Sequence, residues 1–103
     1  MSEGRVRPGD CRTMAEVRGG VDRLDEQIVA LLAERFRYMD AAARIKPDRE
    51  AVRDEARKAE VIGHARRIAL SEGAPAGAVA ELYERLVEAS IAYEFERFDE
   101  RPR

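Results

Sequence analysis

Apolar residues from Met14 onward recur at Met14, Val17, Val21, Leu24, Ile28 and Leu31, in alternating steps of three and four. That rhythm is a heptad seam on one face of a helix. Thr13-Met14-Ala15-Glu16 supplies its start, a hydroxyl at the N-cap and a carboxylate three residues on. The pattern continues through Arg35, Tyr38, Ala42 and Ile45 until Lys46-Pro47 stops it. Gly19-Gly20 weaken the early turns by roughly 1 kcal/mol each relative to Ala, and the surrounding pattern outvotes them. Residues 47–52 read as a loop. A second helix over about 53–71 is expected to bury Ala56, Ala59 or Val61, Ile62, Ala65, Ile68 and Ala69. Gly73 suits the position after a helix C-terminus, and Pro75 the first turn of the next helix. That third helix reaches about Phe98, with Val79, Leu82, Leu86, Ala89, Ser90 and Tyr93 expected inward. The pattern carries no strand signal, so it predicts an all-α chain of three helices, the first very long. Residues 1–12 read as a flexible tail, 13–99 as one helical domain and 100–103 as a C-terminal tail.

The first helix changes the picture through its length. About 34 residues would span roughly 50 Å, whereas a compact chain of this size has a radius of gyration of only ~13 Å. Two shorter helices cannot cover both sides of such a rod, so its seam calls for a second copy across a two-fold axis. A kinked first helix in a monomeric bundle is the alternative.

Composition agrees. The chain has 103 residues, 45% hydrophobic and 39% charged, with three Phe, three Tyr and no Trp, so little aromatic mass is available for a thick core. Nineteen basic against 21 acidic residues give a net charge of −2, which argues against a general nucleic-acid or membrane-surface binder. One cysteine, Cys11, excludes an intrachain disulfide, and with His64 the only histidine there is no basis for a zinc site or a Cys–His pair. Neither a signal-peptide core nor a membrane-length apolar run is legible, so the cytoplasm is the expected location.

Arg35 does not fit a purely structural role, because it falls on the seam, where an unpaired guanidinium is costly. Lys46 follows 11 residues later, about 20° round the helix at ~100° per residue. Arg18 precedes Arg35 by 17 residues, and the three cations are read as sharing one face. Taken singly, each is explained by snorkelling or a surface ion pair; taken together they equally fit a site for an anion. Arg35 and Lys46 would lie ~16 Å apart along the axis and could bracket a small dianion, whereas Arg18, ~25 Å from Arg35, could not reach the same site within one chain. In an antiparallel dimer Arg18 of one chain could lie beside Arg35 and Lys46 of the other. Arg57 could add a carboxylate contact or be an ordinary exposed helix arginine. Ser90 and Glu94, four residues apart on the stripe with Tyr83 and Val87, could face that site, or serve as a packing residue and a partner of Arg97.

The string of Arg18, VDRLDEQIVALLAERF with Arg35, AARIK with Lys46, AVRDEAR with Asp54 and Arg57, and SIAYE with Ser90 and Glu94 resembles the all-helical chorismate mutases. With its Asp10-Cys11 start it is similar, too, to the isochorismate-pyruvate lyases of salicylate and siderophore biosynthesis. The resemblance covers about residues 10–99. It implies an intertwined antiparallel homodimer with two shared active sites and no cofactor or metal. Arg18 of the opposite subunit and Arg35 would hold the substrate's two carboxylates, with Arg57 assisting. Lys46 would contact the ether oxygen and a carboxylate. Glu94 stands where many bacterial members have Gln, and would have to be protonated to donate to that oxygen. Asp54 and Ser90 match positions near the substrate hydroxyl and ring carboxylate. Lys58 departs from the pattern, standing where many members carry a Glu that binds the C4 hydroxyl.

The implied chemistry is a [3,3] rearrangement of chorismate to prephenate, driven by holding the folded conformer and by placing positive charge where the ether oxygen becomes negative. Elimination of pyruvate from isochorismate to leave salicylate is the alternative reaction. A non-catalytic helical dimerisation module is the alternative of another class.

Overall fold

The computed structural model describes residues 6–102, so residues 1–5 of the expected N-terminal tail and residue 103 of the C-terminal one lie outside the described residues. The regular elements are α1 (Met14–Ile45), α2 (Glu55–Glu72) and α3 (Ala76–Asp99), with short 3-10 turns at Pro8–Asp10 and Arg49–Ala51. No strand occurs among the described residues. None of the described helices is long and apolar enough to cross a membrane. The chain divides into two compact units, Met1–Arg35 and Phe36–Arg103, and α1 contributes to both.

In the first unit the start of α1 closes as its sequence requires. Thr13 Oγ1 accepts from the Glu16 N–H at 3.1 Å, while Glu16 Oε1 accepts from the backbone N–H groups of Arg12 at 2.8 Å and Thr13 at 3.1 Å. Those donors, Arg12 first, hold the Glu16 carboxyl below its ordinary range. Ahead of the cap, the 3-10 turn and Val6 border an apolar hollow of about 220 Å³ with Cys11, Val17, Val21 and Leu24. The seam itself stays largely uncovered, with Ile28 50% and Leu31 65% exposed.

The second unit holds the core. Asp54 is the N-cap of α2, its carboxylate accepting from the Arg57 N–H at 3.0 Å, which explains why that helix begins at Glu55 rather than 53. Gly73 ends it in the left-handed region (φ 74°), and the Ala74 N–H returns to the Ala69 carbonyl at 2.8 Å. Val52, Val87 and Ile91 form the buried centre, with Val61, Ile62, Phe95 and Phe98 packed around it. Ala65 and Ala69 of α2 are buried as expected, whereas Ala56, Ala59 and Ile68 are exposed.

The inner stripe of α3 corrects the expectation. Ala80, Val87, Ser90, Ile91 and Glu94 are buried, while Leu82 (69% exposed) and Ala89 face outward. The stripe is turned by about one residue, ~100°. Both faces of this helix carry aliphatic side chains, so periodicity alone did not select the one that meets Val52.

Polar contacts clamp α2 and its preceding loop to α3. Arg53 Nη2 pairs with Glu88 at 2.7 Å, and Lys58 Nζ pairs with both Glu84 and Glu88 at 2.7 Å. Arg49 binds Asp99 at 3.0 Å while its guanidinium lies 4.4 Å over the Phe95 ring. From Phe36 on, the end of α1 meets α3 through a T-shaped Phe36–Tyr93 contact at 5.0 Å. Asp40 there accepts from the Tyr93 hydroxyl and from Arg97, both at 2.9 Å, and these donors, the hydroxyl first, lower its pKa.

The Glu88 cluster makes an acid-sensitive clamp. Arg53 and then Lys58 bring its pKa from the ordinary 4.5 down to about 2. Because the folded value is depressed, its stabilisation is present above about pH 4.5 and is lost as pH falls towards 2. The expected outcome is that Glu88→Gln lowers the urea midpoint at pH 7 and that this deficit shrinks on acidification across that window. A deficit independent of pH would reassign it to packing.

Candidate functional site

A buried carboxylate is the centre of the candidate site. Glu94, on the inner stripe of α3, is only 4% exposed. Lys46, the residue after α1, reaches it, its ammonium lying 2.6 Å from Oε2. The contact has the distance of an ion pair but not the direction of a hydrogen bond, so Oε2 has no aligned donor among the described residues. The same ammonium donates to the Val52 carbonyl at 3.3 Å. Lys46 is therefore tied to the 47–54 loop and to α3 at once. Ser90, one turn before Glu94 and 3% exposed, donates its hydroxyl to the Leu86 carbonyl at 2.7 Å, a back-bond within its own helix.

The other expected residues fall elsewhere. Asp54 and Arg57 meet through the N-cap bond and are exposed, with the Arg57 guanidinium 3.3 Å from Glu60. Arg18 (exposed) and Arg35 (half-buried) belong to the first unit. At ~100° per residue, the 17-residue step between them turns through about 100°, so Arg18 flanks the seam instead of sharing the face of Arg35. Glu94 does not pair with Arg97, which is engaged by Asp40 and Glu100. A local i,i+3 rule proposed that partner; the true one comes from 48 positions away in sequence. The Val52 carbonyl was not foreseen, since nothing in a side-chain pattern marks a backbone acceptor.

Chemically, a held ammonium beside a buried carboxylate can stabilise negative charge developing on a neighbouring oxygen. Lys58, by contrast, is committed to Glu84 and Glu88, which raise its pKa, Glu84 first. Its ammonium is consumed in fastening α2 to α3.

Residues 17–95 match the family described as chorismate mutase type II. The chain belongs to that family. The matched span contains Arg18, Arg35, Lys46, Asp54, Arg57, Ser90 and Glu94. A relative, the isochorismate pyruvate lyase of Pseudomonas aeruginosa, is 33% identical over 85 residues, covering 82% of this chain and 84% of its own length. Membership of the chorismate mutase type II family supports an isomerase and implies a chorismate-like substrate.

Proposed function

We propose that the chain is a chorismate mutase, converting chorismate to prephenate with Lys46 as the principal electrostatic catalyst. The supporting observation is the Lys46 ammonium, held 2.6 Å from a buried carboxylate and 3.3 Å from a backbone carbonyl, in a chain of this family. A preorganised cation costs little reorganisation when the ether oxygen becomes negative. Arg35 and Arg18 supply charge for the substrate's two carboxylates, with Arg57, Ser90 and Asp54 completing its surroundings. Purified protein incubated with chorismate is expected to yield prephenate, and Lys46→Ala to lower kcat by about 10²–10³ while the helical melting transition persists. Near-normal turnover by that folded variant would remove the role.

Glu94 serves as the second group on the ether oxygen. It is the counter-ion of Lys46, and it needs a proton in order to donate to that oxygen. Glu94→Gln, whose amide donates without one, is expected to retain turnover, and Glu94→Ala to lower kcat by about 10²–10³. A folded Glu94→Ala protein with near-normal turnover argues against donation by Glu94.

The working unit is an antiparallel homodimer with two shared sites. Support comes from the exposed seam of α1 and from helix rise, since Arg18 and Arg35 stand ~25 Å apart along one helix and cannot serve one small substrate within a chain. Complementation tests it. Arg18→Ala and Lys46→Ala proteins, each inactive, are unfolded together and refolded as a mixture. Half of the dimers become mixed, each with one intact site, and about a quarter of wild-type activity returns. No recovery, with mixed dimers demonstrated by mass spectrometry, rejects the shared site.

One observation favours a second reading, isochorismate-pyruvate lyase. The 33% identical relative carries that name, and Lys58, where many chorismate mutases bind the C4 hydroxyl, is engaged with α3 carboxylates. Salicylate and pyruvate from isochorismate, with no prephenate from chorismate, would select it.

A further inference from the structure

Arg101 lies beyond α3, two residues after its last residue, Asp99. Its contacts nevertheless fall on the far end of α1. Its Nη1 donates to the Lys46 carbonyl at 2.7 Å and to the Ala43 carbonyl at 3.2 Å. The guanidinium sits 4.1 Å over the Phe98 ring, and Phe98 packs against the Val52–Val87–Ile91 core.

The reason is written in Pro47. In an α-helix the Ala43 carbonyl accepts from the N–H four residues on. The residue there is Pro47, which has none. Ala42 is served by the Lys46 N–H at 2.9 Å, so the shortage begins with Ala43. Ala43 is also the one buried residue of α1, 2% exposed. Water is poorly placed to satisfy its carbonyl, and an unpaired buried acceptor is costly. Arg101 supplies the donor that Pro47 removes, and it brings positive charge to the negative end of the helix.

We infer that Arg101 is a positioning residue for Lys46, fixing the Lys46 backbone so that its ammonium stays between the Val52 carbonyl and Glu94. This rests on the reading of Lys46 as the catalytic cation. The two ends of Lys46 are then anchored separately, the main chain by Arg101 and the side chain by Val52 and Glu94. Loss of Arg101 frees the last turn of α1 and lets the ammonium wander, and misplacement of about 1 Å can cost as much as 10²-fold in rate.

The chain contains only two lysines, Lys46 and Lys58, which makes the test direct. Protein labelled with 13C at lysine Cε gives two side-chain signals. In Arg101→Met the Lys46 signal is expected to move towards the position of a free lysine while that of Lys58 stays put. In turnover, Arg101→Met is expected to lower kcat about tenfold or more with little change in KM, and to cost nothing further in a Lys46→Ala background. Arg101→Gln, which keeps an N–H donor, is expected to recover part of both effects, and it carries the test if the Met variant folds poorly. A Lys46 signal that stays fixed in a folded Arg101 variant overturns the inference, as does an equal rate loss with Lys46 absent. If the wild type turns over neither chorismate nor isochorismate but the Lys46 signal still moves, the positioning stands and the catalytic reading fails.

Discussion

An ionised carboxylate buried on an inner helix face calls for a cation, and in the second unit the end of α1 brings Lys46 to Glu94. Leaving such a group uncompensated by removing its partner typically costs roughly 3–5 kcal/mol. The figure is at the lower end here, since the Lys46 side chain is 29% exposed and partly screened. The pair does more than offset a charge. Through it the residue after α1, the loop carrying Val52 and the middle of α3 are joined at one point. Replacing it with apolar groups of similar volume need not destabilise the fold. Under the proposed function the pair serves chemistry more than stability, because an ammonium already held and aimed has little left to reorganise when a neighbouring oxygen becomes negative.

The fasteners around this pair show how a thin aliphatic core is supplemented. Arg53 and Lys58 converge on Glu88, Arg49 on Asp99 and Arg97 on Asp40. Exposed pairs of this kind contribute little each. They do set the register of the 47–54 loop and α2 on α3, and register decides where the Val52 carbonyl, and with it the Lys46 ammonium, is placed. Lys58 illustrates the resulting division of labour. Its charge is spent on holding two helices together.

What could be read from sequence was what local chemistry decides. The Thr13–Glu16 cap, the stop at Lys46-Pro47 and the left-handed Gly73 are properties of a few adjacent residues, and each is present where its pattern placed it. The phase of α3 was harder, because Leu82 and Leu86 offered one apolar face and Val87 and Ile91 another, and only contact with Val52 distinguishes them. Lys46 and Glu94 were both legible as candidates, but their pairing was not, since it depends on a loop geometry that periodicity does not encode. The same holds for Arg101, whose partner is a carbonyl left open by a proline 54 positions earlier.

Charge arithmetic carries the site one step further. Lys46 and Glu94 together are close to neutral, so this pair alone offers no net attraction to a dicarboxylate guest. Binding one there requires cations from outside the pair. Arg57 is exposed and beside Glu60, and Lys58 is already balanced by two carboxylates. Arg35 and Arg18 are the α1 cations that the proposed function assigns to the guest. Helix rise keeps them ~25 Å apart in one chain, so bringing both to one guest takes two chains. On the proposed function, the need for positive charge at the site and the exposed apolar seam of α1 make the same demand. Under the proposed function, a second copy lying head to tail would both cover that surface and bring the missing arginine to the guest.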